Sequence, residues 1–271
     1  MVAVDGSAPA RTPVRPPGGL ARALAVLEYH LVDYRRTWRA GAVSSFVLPL
    51  LTMVGFGLGV GAYVTQGVAG VPYLDFIVPG LIASTALQVA VGESTWPVMG
   101  NFSWVRTYFA QAAAPLRVAD ILGGHLAFVC FRVLTSSVAF LLVAAIFGTL
   151  HSVWALATLP LVLLIGLAVA TPVFAYSAWV RTDSYLAILF RFGVIPMTLF
   201  AGVFFPVDSL PVGLRWLAYA SPLWHGVDLC RAATFGVAPQ WSVAGHLLYL
   251  AGWVVGGWLL ARVTFRRRLV I

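Results

Sequence analysis

The chain has 271 residues, 61% hydrophobic and 10% charged, with a mean hydropathy of +0.92. A soluble domain is about 45–50% apolar and about 25% charged, so a soluble globular enzyme is excluded and an integral membrane protein is implied. The net charge of +8 comes from 17 basic and 9 acidic residues, every basic one an arginine; without lysine there is no Walker A site, no Schiff-base chemistry and no lysine general base.

Residues 1–19, rich in Pro, Ala and Arg, have no apolar h-region. They read as a disordered cytoplasmic tail rather than a signal peptide. Over 20–40, Leu20, Leu24, Leu27, Leu31, Tyr34 and Trp38 recur at alternating steps of four and three, with Arg22, Glu28, Arg35, Arg36 and Arg39 largely off that stripe. The spacing predicts an amphipathic helix, either lying in the membrane interface with its arginines toward anionic headgroups or packed on the protein's own cytoplasmic face. The remainder, 41–271, forms the transmembrane domain. A bilayer core needs about 20 apolar residues per helix, and six segments qualify: about 42–62, 75–98, 121–147, 153–180, 184–205 and 243–262. Two connections are long. The first, 99–120, carries a helical stretch through Trp104, Tyr108 and Ala112 and a break at Pro115; it is either an interfacial loop or a short helix able to dock a soluble partner. The second, 206–242, reads as one or two short amphipathic helices broken at Pro222, partly buried at the membrane surface.

Orientation follows from arginine. With the N-terminus cytoplasmic, thirteen arginines lie inside (11, 15, 22, 35, 36, 39, 106, 117, 181, 262 and 266–268), Arg215 and Arg231 lie outside, and Arg132 and Arg191 fall within spans. Both termini are therefore expected in the cytoplasm, in a multi-pass protein of the plasma (inner) membrane. Charge within a bilayer costs about 2.5–3.5 kcal/mol per residue, so each such residue asks for a partner or a role. At 1.5 Å rise per residue the depths of Glu93, Arg132 and Arg191 overlap, which predicts a pair between Glu93 and either Arg191 or Arg132; the alternative is an arginine that binds an anionic lipid headgroup or substrate. Gly55–Gly59 and Gly57–Gly61 form GxxxG pairs, suited to a dimer seam or to packing within the chain. Phe204 and Phe205 beside Pro206 either gate an outer exit or simply pack.

Other chemistry finds little support. Cys130 and Cys230 lack CxxC spacing, and His225 has only Asp228 near it in sequence, too little for a metal site. An intramembrane enzyme would need a Ser/His pair, an HExxH or clustered aspartates, whereas Glu93 alone among the acids is well inside a span. A proton-coupled secondary transporter using Glu93 is the alternative function, but no internal repeat accompanies it.

Three stretches carry a family likeness. "APLRVADILGGHL" (114–126) resembles a region of the ABC transporter type-2 permeases. Within 200–236, Ala201, Gly202 and Pro206, then Leu210 and Pro211, Pro222, and finally Asp228, Arg231 and Gly236 follow in the order of that family's signature. "VPYLDFIVPGLIASTAL" (71–87) is similar to the lipooligosaccharide and drug-resistance branch. The likeness spans about 20–262. It implies an all-α polytopic fold: six transmembrane helices, an N-terminal amphipathic interface helix, and short re-entrant outer helices between helices five and six. It also implies a permease subunit, not itself an enzyme, in an exporter that moves an amphiphile (a glycolipid, a lipid-linked saccharide or a hydrophobic drug) outward. Two permease chains, identical or sisters, would pair among membrane lipids on two copies of a separate ATP-binding subunit that holds ATP and Mg; the chain itself would carry no cofactor and no metal and bind no nucleic acid. Coupling would run through the N-terminal helix and through Trp104, Arg106, Tyr108, Pro115 and Arg117, and the outer gate would comprise Gly202, Phe204, Phe205, Pro206, Pro211, Pro222, Asp228 and Arg231.

Overall fold

The computed structural model describes residues 18–64, 66–68, 70–150 and 153–269, and of Ala40, Ser44, Leu58 and Val153 the backbone alone. The tail expected over 1–19 thus lies almost wholly outside the described residues. Within them the fold is helical, with no strand beyond an isolated bridge between Val68 and Val71. In chain order the α-helices are α1 (Gly19–Val54), α2 (Tyr73–Ser94), α3 (Trp96–Ser103), α4 (Thr107–Ala113), α5 (Val118–Ile146), α6 (Thr158–Trp179), α7 (Ser184–Leu189), α8 (Ile195–Phe200), α9 (Val212–Tyr219), α10 (Pro222–Phe235) and α11 (Val243–Leu269). A chain this apolar must satisfy its backbone groups locally once water is removed, and helices do so within each segment.

Among the described residues four helical stretches are long and apolar enough to cross a membrane: Tyr73–Ser103, Val118–Ile146, Trp154–Trp179 and Val243–Leu269. A fifth is added if the two arms of α1, Gly19–Arg39 and Gly41–Gly57, which meet at 73°, count together. The stretch expected to span over 184–205 differs. Its helix Ser184–Phe200 is shorter and is interrupted by a π-helical turn at Phe190–Val194. The chain leaves the helix because Gly202 adopts φ +79°, a conformation that only glycine takes up freely, and Pro206 follows.

Glycines set how closely the helices approach. A Cβ on Gly124 of α5 would stand 2.5 Å from Val26 Cβ, and one on Gly257 of α11 would stand 2.6 Å from the Pro172 ring of α6. Gly226 presses α10 against Ile165 in the same way. α2 is the central element, packed by α5, α6 and α10: 72% of its most apolar window is buried, against 17% for α11. α11 runs along α6 at the periphery.

The first arm of α1 turns Val26 and His30 into the protein and half-buries Tyr34, while Leu20, Leu24 and Trp38 stay exposed. The packed stripe is therefore rotated from the leucine stripe of the sequence. One side of the arm binds its own protein and a separate apolar side remains open.

Candidate functional site

Contacts between distant segments define one face of the bundle. Arg22 Nε donates to Asp120 Oδ2 at 2.6 Å, and Asp120 also accepts the Arg117 N–H at 2.9 Å, holding the first turn of α5. Tyr29 and Thr107 hydroxyls meet at 3.4 Å. Arg268 of α11 donates to Ala178 O and Val180 O, each at 2.9 Å, and to Ser103 Oγ at 2.9 Å, with its guanidinium 4.4 Å above the Phe102 ring. These bonds bring the start of α1, the α3–α4 corner, the start of α5 and the ends of α6 and α11 together.

On this mount the α3–α4 corner projects. Trp104, Val105 and Arg106 are exposed, whereas Tyr108 is fully buried. The sequence suggests a continuous helix through Trp104; instead the helix stops at Ser103, and the Trp104 and Val105 N–H groups both donate to Gly100 O at 2.9 Å. Arg106 then takes φ +59°, a left-handed conformation that costs a non-glycine residue about 1–3 kcal/mol. Arg106→Gly is accordingly expected to raise the chain's stability by roughly 0.5–1 kcal/mol, read as a higher melting temperature, even if it removes a functional side chain.

Tyr108 packs against Phe102 and Phe265 and contacts His125 Nδ1 through its hydroxyl at 2.5 Å. Burial pushes the phenol well above its usual range, so the hydroxyl keeps its proton, and the direction of its bond to His125 follows the tautomer of that ring. His30 stacks on His125 at 4.1 Å. Burial lowers His30 to about 4, against a smaller upward pull from Asp33, so it is neutral at physiological pH. Pro115 is exposed and breaks the chain before α5, and Arg117 is exposed as its N-cap.

Beside the mount lies a cleft of about 530 Å³ between the bend of α1, the α2–α3 junction and α5. Glu93 and Arg132 line it and form an ion pair, Nε to Oε1 at 3.0 Å, with side chains 23% and 11% exposed. Arg132 also donates to Tyr34 Oη at 2.8 Å and lies 4.7 Å from that ring. Gly41 admits the guanidinium: a Cβ there would stand 3.2 Å from Arg132 Nη1. Arg191, the other partner considered from sequence, is instead exposed on the π-helical turn. Its position follows from the short Ser184–Phe200 helix, which displaces the depth inferred by counting residues along a full span.

The opposite face carries a cap. Arg231 Nη2 donates to Gly202 O at 2.9 Å, and its guanidinium lies 4.2 Å over Phe76 of α2; burial lowers it to about 10. Phe204 stacks on Phe56 at 4.9 Å, and Phe205 packs half-buried against the core. Pro211 precedes α9. Ser221 Oγ accepts the Leu223 N–H at 3.1 Å with Pro222 in the first turn of α10, and Gly236 at φ +69° closes that helix. This is the capping pattern expected of Ser, Pro and Gly at those positions. Asp228 accepts the Gln240 N–H at 2.8 Å.

Sequence spacing missed one cluster here. His225 has a histidine partner after all: its Nδ1 lies 2.8 Å from His246 Nδ1, and His246 Nε2 lies 3.0 Å from Asp228 Oδ2, outside good hydrogen-bond geometry. The two histidines are 21 residues apart on α10 and α11, so no local motif could reveal them. Among the described residues no group of three or more His, Cys, Asp or Glu side chains, this one included, is arranged to hold a metal ion.

Comparison with known proteins places this architecture. The family model "ABC-2 type transporter" matches residues 22–235. The chain is 30% identical over 255 residues to Nodulation protein J of Rhizobium leguminosarum bv. viciae, covering 94% of this chain and 97% of that protein. It is 29% identical to Nodulation protein J of R. leguminosarum bv. trifolii, with 94% and 96% covered, and 29% identical to that of Sinorhizobium fredii, with 91% and 94% covered. A match over most of the chain, joined to an all-helical bundle of membrane-capable helices, identifies this protein as a member of the ABC-2 type transporter permease family.

Proposed function

We propose that this chain is the permease subunit of an ATP-driven exporter, and that the α3–α4 corner is where a separate ATP-binding subunit docks. The observation that carries the reading is an exposed Trp104–Arg106 tip whose flanking residues Ser103, Thr107 and Tyr108 are tied to α11, α1 and α5. Trp and Arg are the side chains most often found at binding hot spots, and a tip fixed to α1, α5 and α11 passes a push to all of them. Tyr108, Pro115 and Arg117 hold the tip and shape its exit. The arginine-rich face is cytoplasmic in this reading, with both termini inside, and the plasma membrane is the one such an exporter would occupy. Nucleotide and Mg belong to the partner, because a chain without lysine cannot supply the Walker A contact.

Two permease chains, identical or sisters, sit on two ATP-binding subunits in this reading. The substrate is an amphiphile of the glycolipid or lipid-linked saccharide kind, in keeping with the likeness of 71–87 to the lipooligosaccharide branch and with the apolar bundle. The polar cleft of Glu93 and Arg132 receives its headgroup, and the cap of Gly202, Phe204, Phe205, Pro206, Pro211, Pro222, Asp228 and Arg231 forms the outer exit. The ion pair between Glu93 and Arg132 gives Glu93 a fixed partner, so this reading needs no proton site there.

The test is co-expression with the ATP-binding subunit. Trp104→Ala combined with Arg106→Ala should reduce co-purification at least about tenfold, since hot-spot residues each contribute about 2 kcal/mol or more. The chain's own melting temperature should change little. Undiminished association would remove the corner from the interface.

A further inference from the structure

A second groove lies on the arginine-rich face, outside the cleft. It has a volume of about 620 Å³ and runs between the first turn of α5 and the last turns of α11, with Arg117, Arg262 and Arg266 at its rim and Leu259 and Val263 in its wall. All three arginines are exposed, and among the described residues no carboxylate lines the groove. The nearest acid in sequence, Asp120, is engaged by Arg22 and by the Arg117 N–H. Arg268, by contrast, is committed to the carbonyls at the end of α6. The three rim arginines therefore concentrate positive charge where the start of α5 meets the end of α11.

Farther along the same two helices a third cavity, of about 420 Å³, has apolar walls, with Gly123, Ala127 and Cys130 on α5, Val255 and Trp258 on α11 and Leu167 on α6. From Arg117 to Cys130 the helix rises about 20 Å at 1.5 Å per residue, against about 15 Å for one leaflet of a bilayer core. A cationic mouth above an apolar trough of one leaflet's depth matches the two halves of a phospholipid. Gly123 keeps the trough open: the nearest atom to a Cβ there is on the Trp258 ring, 3.8 Å away.

We infer that this α5–α11 groove is a binding site for an anionic phospholipid, its phosphate held by Arg117, Arg262 and Arg266 and an acyl chain laid along Gly123 to Cys130. The site is distinct from the Glu93–Arg132 cleft and does not depend on the chain being ATP-driven. Two recognition elements act together. Charge selects anionic over zwitterionic headgroups, and the trough selects a lipid over a free phosphate.

The full chain in nanodiscs of phosphatidylcholine containing a minor fraction of phosphatidylglycerol provides the test, with retained lipid counted by native mass spectrometry. The wild type should retain phosphatidylglycerol in preference to phosphatidylcholine. Replacing all three rim arginines by Gln should weaken retention by roughly 100-fold, about fivefold for each basic residue beside an anionic lipid. Gly123→Leu fills the trough without touching the arginines, and should weaken retention by about tenfold on its own. Inorganic phosphate should not displace the lipid. Retention unchanged in both variants, or equal retention of the two lipids, would overturn the inference. Displacement by phosphate together with an inert Gly123→Leu would convert the site into one for a free anion and likewise overturn it. So would loss of the ATP-binding subunit with lipid retention intact in the arginine variant, since the rim would then be a protein dock. Melting in pure phosphatidylcholine checks folding, and Gly123→Leu keeps the question open to refutation should the triple variant not fold.

Discussion

Glu93→Ala should destabilise the chain by about 3 kcal/mol, and the double variant Glu93→Arg with Arg132→Glu should recover most of that loss. Removing one member of a buried ion pair costs about 3–5 kcal/mol, because the other charge is left without a partner. The lower end applies here because Glu93 keeps 23% of its side chain exposed. Among the described residues Arg132 would keep the Tyr34 hydroxyl at 2.8 Å and the face of that ring, neither of which carries a compensating charge. In the exchanged pair a carboxylate at position 132 can still accept from Tyr34, so the local network closes again. The measurement is thermal melting of the purified chain in a fixed lipid, with the single variants Glu93→Ala and Arg132→Ala and the exchange side by side. Melting of Glu93→Ala at the wild-type temperature would show that the pair contributes nothing to the fold.

Tyr108→Ala should cost about 3–5 kcal/mol, the range for removing a large buried aromatic side chain. Tyr108 is fully buried among Phe102, Phe265 and His125, so little surrounding structure can collapse into the space. Tyr108→Phe keeps the ring and deletes the hydroxyl, leaving His125 Nδ1 without its partner at about 1–3 kcal/mol. The two variants separate shape from hydrogen bonding. If the corner transmits force, Tyr108→Phe should also lower stimulation of the partner ATPase while the Trp104–Arg106 tip remains in place. Stability of both variants within about 0.5 kcal/mol of wild type would mean that the corner is not anchored through Tyr108.

Much of this arrangement was legible in the sequence, and the reasons are local. The capping residues Ser221, Pro222 and Gly236 specify the ends of α10 because their chemistry acts within one turn. Hydropathy located the four long membrane-capable helices for the same reason. Depth counting brought Glu93 and Arg132 together because both stand on long helices, and it misplaced Arg191 because α7 and α8 are short and joined by a π-helical turn. The leucine stripe of α1 left open whether it faces the membrane interface or the protein; in the fold Leu20, Leu24 and Trp38 are exposed while Val26 packs against Gly124, a close approach that no window of sequence shows. His225 and His246 meet only through the crossing of α10 and α11. Arg268 counts in sequence as one more basic residue at the membrane edge, yet in the fold it clamps the end of α6 to α3. Such pairings depend on tertiary geometry that no single window of sequence contains.

In the proposed function an amphiphile is driven outward by ATP hydrolysed on a partner bound at the α3–α4 corner. The most direct test reconstitutes the permease with its ATP-binding subunit in vesicles and follows a fluorescent lipid-linked saccharide across the bilayer. Movement should require ATP, stimulate its hydrolysis, and fall at least about tenfold in the Trp104→Ala, Arg106→Ala variant. Movement driven by a proton gradient without ATP, abolished by Glu93→Gln but indifferent to the corner, would contradict the account.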